Sequence, residues 1–173
     1  MAKTLLKTEG QRLGEPDKIL FSVNNILAAD NESCMFTTVF CAILDITTWE
    51  VRFANAGHNP PLIIDTQGVR YLAPKPGLML GAMTDTVFAA ERLALEQDAV
   101  LFLYTDGVTE AKNPEDALYG EECLLKALQT APQKDVVNMI HYIRSEVAHH
   151  ADGASQSDDI TMLAVKISKK GMV

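Results

Sequence analysis

The spacing of apolar residues changes several times along this chain, and each change predicts an element. A short helix is expected in the first residues, interrupted by Gly10 and Gly14. Pro16 suits the first turn of a second helix, in which Ile19, Leu20, Val23, Ile26 and Leu27 recur at helical spacing down to about Asn31. From residue 35 the period shortens. Residues 35–46 read as a long strand with Phe36, Val39, Phe40, Ile43 and Leu44 on both faces, and residues 49–54 as its hairpin partner. A turn cluster at residues 55–61 precedes a second hairpin, residues 62–64 and 69–72, across Thr66, Gln67 and Gly68. Pro74, Pro76, Gly77 and Gly81 mark an irregular loop, followed by strands over residues 87–95 and 99–104. Leu124, Leu125 and Leu128 predict a helix from Gly120. Val136, Ile140, Ile143 and Val147 predict a longer one beginning at Pro132, and residues 160–167 a last strand.

Strands in a run, with helices grouped at the ends, argue for an α+β fold: antiparallel sheets layered as a β-sandwich and flanked by helices, rather than alternating βαβ units. There is no internal repeat or interdomain linker, so residues 1–173 are read as a single domain.

Composition narrows the functions. The chain is 47% hydrophobic and 22% charged, an ordinary globular balance, and its net charge of −8 argues against nucleic acid or an anionic membrane surface as partner. Cys34, Cys41 and Cys123 are odd in number and widely spaced, which supports neither a disulfide framework nor a zinc knuckle. No apolar run approaches the roughly 20 residues of a membrane helix and no signal peptide is visible, so a cytoplasmic protein is expected.

The chemistry concentrates at two acidic sites. Residues 99–104 are apolar on both faces, as in a central strand, and Asp106-Gly107 follows where that strand ends. Such a carboxylate either caps a turn, meets a basic group, or binds a metal. Ser157-Asp158-Asp159 stands directly before the last strand. If the two strands are antiparallel neighbours, Asp106 and Asp158 meet at one sheet edge, where their repulsion calls for a cation. Hard oxygen ligands suit magnesium or manganese.

Four stretches together resemble the bacterial SpoIIE/RsbU-like branch of the PPM-type, metal-dependent serine/threonine phosphatases. They are Met35-Phe36-Thr37-Thr38-Val39-Phe40, Ala54-Asn55-Ala56-Gly57-His58-Asn59-Pro60-Pro61, Leu103-Tyr104-Thr105-Asp106-Gly107-Val108-Thr109-Glu110-Ala111 and Ser157-Asp158-Asp159-Ile160-Thr161. The resemblance implies a β-sandwich flanked by helices with two Mn2+ or Mg2+ ions at one end, and hydrolysis of phosphoserine or phosphothreonine by a metal-bridging water. It implies that Asp106 and Asp158 are metal ligands with catalytic roles, Asp159 being a further candidate ligand. Thr105, Gly107 and His58 stand in supporting positions. The implied substrate is a phosphorylated regulatory protein such as an anti-sigma-factor antagonist.

The family's upstream Gly-Asp-x-x-Asp and Asp-x-Ser-Gly-Lys-Gly segments have no counterpart here, so an N-terminally truncated domain with an incomplete two-metal site is expected. An uncovered sheet edge then predicts a homodimer. A catalytically inactive interaction module is the alternative reading, and a structural Ca2+ site a third. His58 also reads as a hydrogen-bonded turn histidine, Glu110 as a solvated or capping acid, and His149-His150 as surface histidines.

Overall fold

The computed structural model describes residues 1–29, 31–133, 135–156 and 158–168. The chain opens with α1 (Ala2–Leu13), α2 (Pro16–Ala29), β1 (Val39–Leu44), β2 (Glu50–Ala56), β3 (Leu62–Asp65) and β4 (Gly68–Tyr71). It continues through β5 (Glu91–Ala94), β6 (Val100–Tyr104), α3 (Asp106–Thr109), α4 (Gly120–Thr130), α5 (Val136–Ala151) and β7 (Met162–Lys166). Helices and two antiparallel sheets make this an α+β fold, as the strand run implied. The contacts divide it into two units, Met1–His58 with Pro74–Leu95, and Asn59–Ala73 with Glu96–Val173.

In the first unit α1 continues through Gly10 and stops only at Gly14, whose φ of 67° closes the helix in the left-handed region. The interruption expected at Gly10 does not occur. A helical glycine costs about 1 kcal/mol relative to alanine, and Leu5, Leu6 and Leu13 offset it by packing on the cluster around Ile19, Leu20 and Val23 of α2. Asn24, fully buried on α2, donates through Nδ2 to the Met83 carbonyl (2.8 Å) and accepts from the Gly81 amide (3.0 Å), tying the irregular loop to the helix.

The sheet of this unit has the order β1-β2-β5, all antiparallel. Asp45 makes the β1–β2 turn by accepting from the amides of Thr47 (2.8 Å) and Thr48 (3.0 Å). The expected strand over residues 35–46 is shorter than its apolar pattern. Cys34 has φ 50°, and the Asn31 side chain bonds both the amide and the carbonyl of Met35, so a local turn occupies that backbone. Met35 and Phe36 are consequently exposed, and β1, at the sheet's edge, contains no buried residue. The strand expected over residues 87–95 likewise shrinks to β5; Val87 is 82% exposed.

The second unit holds a four-stranded antiparallel sheet, β4-β3-β6-β7. β6 lies between β3 and β7, and Val100, Leu101, Phe102 and Tyr104 are buried, which is why both its faces are apolar. Its core joins Leu62, Ile64 and Phe102 to Leu124 and Leu128 of α4 and to Met139, Ile143 and Val147 of α5. Burying each such large side chain contributes about 1.5–3 kcal/mol. α5 begins at Val136 rather than at Pro132, because Asp135 is the N-cap and its Oδ1 accepts from the amides of Val137 (2.9 Å) and Asn138 (3.2 Å). The antiparallel β6–β7 pair, with Tyr104 opposite Met162, places the end of one strand beside the start of the other.

Candidate active site

Thr105, immediately after β6, fastens the two acidic segments together. Its amide donates to the Thr161 carbonyl (3.0 Å), its hydroxyl donates to the Asp159 carbonyl (2.9 Å), and the same hydroxyl oxygen accepts from the Thr161 amide (2.9 Å). One side chain thus extends the β6–β7 ladder past its last pair. Gly107 makes the second contact. A Cβ at this position would sit 2.6 Å from the Asp159 carbonyl oxygen and 3.3 Å from that of Asp158, so only glycine lets the Asp106 turn approach the 158–159 peptide so closely.

Asp106 opens the short helix α3, and its Oδ1 accepts from the Gly107 amide (3.0 Å). Asp158 is held in the same way, its Oδ1 accepting from the Asp159 amide (2.7 Å) and its carbonyl from Gln156 Nε2 (2.7 Å). Asp106, Asp158 and Asp159 are exposed, and among the described residues none of the three meets a Lys, Arg or His. Asp159 contributes its main-chain carbonyl to the Thr105 fastening. Ser157, part of the acidic motif, lies outside the described residues.

His58 belongs to the first unit. Its Nδ1 lies 3.2 Å from Thr38 Oγ1, and its backbone exchanges two hydrogen bonds with the Asn55 side chain (2.9 and 3.0 Å), which closes the turn after β2. Glu110 follows α3 and is exposed, its amide donating to the Asp106 carbonyl at 2.8 Å. His150 Nε2 lies 3.0 Å from the Ala117 carbonyl, its ring edge-on to Tyr119.

Among the described residues no three His, Cys, Asp or Glu side chains gather closely enough to hold one ion. The hard carboxylates of Asp106 and Asp158 suit a Mg2+ or Mn2+ ion that keeps most of its waters, since such ions are commonly held by one or two carboxylates. They do not by themselves make up a two-metal clamp.

Beside this site lies a cavity of about 360 Å3 that also has Gly107 in its wall. Lys112 and Arg144 line it, and neither stood out in the sequence. The available signal was the i, i+3, i+4, i+7 series Arg144, Val147, Ala148, Ala151 on one helix face.

The fold has solved counterparts. The PP2C phosphatase domain of SpoIIE from Bacillus subtilis, solved with a fragment of its regulatory domain, superposes with a TM-score of 0.82 at 18% identity, over 96% of this chain and 49% of that one. The family described as Stage II sporulation protein E (SpoIIE) matches residues 1–168. This chain therefore belongs to the SpoIIE family, and it shares the fold of a PP2C phosphatase domain. It is 33% identical over 143 residues to Protein IcfG of Synechocystis sp., a match covering 82% of this chain and 22% of IcfG. It is 26% identical over 145 residues to the phosphoserine phosphatase RsbP of Bacillus subtilis, covering 84% of this chain and 34% of RsbP. The chain thus spans well under half the length of either relative.

Proposed function

We propose that the chain hydrolyses phosphoserine or phosphothreonine on a regulatory protein, in a reaction that depends on Mn2+ or Mg2+. The observation that carries this reading is the fastening of the Asp106 turn to the Asp158–Asp159 peptide by Thr105 and Gly107. Family membership and the kinship with a phosphoserine phosphatase support it. Asp106 and Asp158 would hold the cation, with Asp159 as a further candidate. When bound, the cation supplies charge neutralisation at the phosphoryl oxygens and acidifies water. Thr105 and Gly107 keep the two carboxylate-bearing segments in register, so the site is organised before substrate arrives. His58 supports the fold of the turn after β2 rather than the chemistry.

Residues 1–173 act in this reading as one catalytic domain of a cytoplasmic signalling regulator, and the substrate is a phosphorylated anti-sigma-factor antagonist or a protein of that kind. Among the described residues no helix is long and apolar enough to cross a membrane. The edge position of β1, with no buried residue along it, also supports self-association of two copies through a sheet edge. One observation favours a second reading, a non-catalytic interaction module: only two carboxylate segments meet, and no three-donor group accompanies them among the described residues.

The test is manganese-dependent hydrolysis of a phosphoserine peptide by the chain and by Asp106→Asn. The expected result is turnover that falls by roughly 10²-fold or more in the variant. Absence of turnover across a full manganese titration would favour the interaction module.

A further inference from the structure

The cavity beside the carboxylates is built by the end of α5 and the chain that follows it. Arg144, Val147, Ala148 and Ala151 form one stripe of the helix, tapering from a long cation to methyl groups. Asp152 and Gly153 then take left-handed φ values of 43° and 84°, and the chain beyond this turn adds Ala154, Ser155 and Gln156 to the lining. Several of the lining side chains are small, Gly107, Ala111, Ala148, Ala151, Gly153 and Ala154, and Val147, 3% exposed, adds apolar surface.

Its charge is unlike that of the whole chain. The net charge is −8, yet among the described residues the cavity's charged lining residues are Lys112 and Arg144 and no carboxylate lines it. Lys112 Nζ is 3.2 Å from Asp116 Oδ1, a partner 84% exposed, and such surface pairs are weak and readily exchanged. Arg144 is exposed, and among the described residues no carboxylate forms an ion pair with it. A guanidinium in the lining of a partly apolar hollow, with no described carboxylate paired to it, suits a carboxylate on a short hydrocarbon stem, which it can grip with two parallel hydrogen bonds.

The cavity also shares its wall with the candidate active site. Gly107 follows Asp106, Ile160 follows Asp159, and Gln156, in the wall, donates to the Asp158 carbonyl at 2.7 Å. An extended peptide advances roughly 3.3–3.6 Å per residue, so a chain with its phosphate at Asp106 and Asp158 brings the next few side chains to this hollow.

We propose that the cavity is a recognition subsite for a glutamate or aspartate side chain of the substrate, within a few residues of the phosphorylated one. Arg144 is the specificity-determining cation and Lys112 its second donor. The inference rests on the phosphatase reading, since it takes the phosphoprotein as the occupant.

The test uses peptides carrying a non-hydrolysable phosphonate mimic of phosphoserine. One series has glutamate at a single position from three before to three after the mimic, and a control has alanine throughout. Fluorescence anisotropy with the full chain should show one position at which glutamate tightens Kd by about fivefold to tenfold. Arg144→Glu should abolish that gain and favour lysine at the same position, and Lys112→Gln should reduce the gain by about twofold to threefold. Arg144→Gln, with thermal melts of each variant, carries the comparison if charge reversal disturbs folding. A gain that survives both Arg144 substitutions, an acidic preference spread evenly over all positions, or no binding up to millimolar peptide overturns the subsite.

Hydrolysis of the matching phosphoserine peptides separates the two ideas. Asp106-dependent turnover without an Arg144-dependent glutamate preference removes the subsite alone. An Arg144-dependent preference without turnover leaves the subsite standing and removes the phosphatase reading.

Discussion

Gly107 shows how one missing side chain decides the site. The backbone of the Asp106 turn approaches the Asp159 carbonyl so closely that a methyl group would lie 2.6 Å from its oxygen, and the atom in the way is main chain, which cannot swing aside. Gly107→Ala should therefore destabilise the protein by about 1–3 kcal/mol and push the two carboxylate segments apart. Thermal melting reads the first effect and peptide hydrolysis the second; a variant with unchanged melting temperature and turnover would show that the contact is easily relieved. A cost of a different kind sits one strand turn earlier. Tyr104 Oη is buried without a well-aligned hydrogen bond, although the Tyr71 hydroxyl and the Asn59 side chain are its polar neighbours. Burial is the main reason its ionisation is pushed upward.

At the scale of elements, the β3–β4 hairpin is closed by chemistry as well as by pairing. Arg70 grips Asp65 with two bonds, Nη1 to Oδ1 (2.7 Å) and Nη2 to Oδ2 (2.6 Å), and the Gln67 amide adds a third at 2.9 Å. The guanidinium is the chief reason that the Asp65 carboxyl is held below its usual range; the amide adds to this and burial opposes it. A carboxylate so depressed contributes stability above its unfolded-state value, near 3.9, and loses it as pH falls through the lower folded-state value. Arg70→Gln should accordingly lower Tm by about 2–4 °C at pH 7, a modest effect because Arg70 is 41% exposed. The gap to the parent should close as pH falls below about 4. A gap independent of pH would assign the loss to packing of the arginine stem instead.

The elements were legible where periodicity was long and uninterrupted. α2, the β3–β4 hairpin, β6 and α4 stand where their patterns put them, and β1 pairs with β2 as expected, because burial of a regular stripe and local turn chemistry are both written in neighbouring residues. The errors fall where a single polar group overrode the pattern. Asn31 bonds Met35 and shortens β1, and Asp135 outcompetes Pro132 as the start of α5. α1 survives Gly10 because its packing on α2 outweighs a small propensity cost.

For the molecule as a whole, the acid excess and the open edge of β1 set opposing expectations. Like charge keeps copies apart at low ionic strength, whereas an unpaired strand edge draws them together. The self-association proposed above predicts a mass near twice the 18.9 kDa of one chain by light scattering in the micromolar range, strengthened by salt as repulsion is screened. A single-chain mass throughout, at low and high salt, would end that proposal.

The sequence by itself determined the α+β class, the two hairpins, the burial of β6 on both faces and the family, because each of these depends on residue types at short or fixed spacing. Only the tertiary structure decided that Thr105 and Gly107 clasp the 158–159 peptide, and that Arg144 and Lys112 share a hollow beside it. Those pairs are more than thirty residues apart in the chain. Their meeting is fixed by the antiparallel register of β6 on β7 and by the packing of α5, which no local pattern encodes.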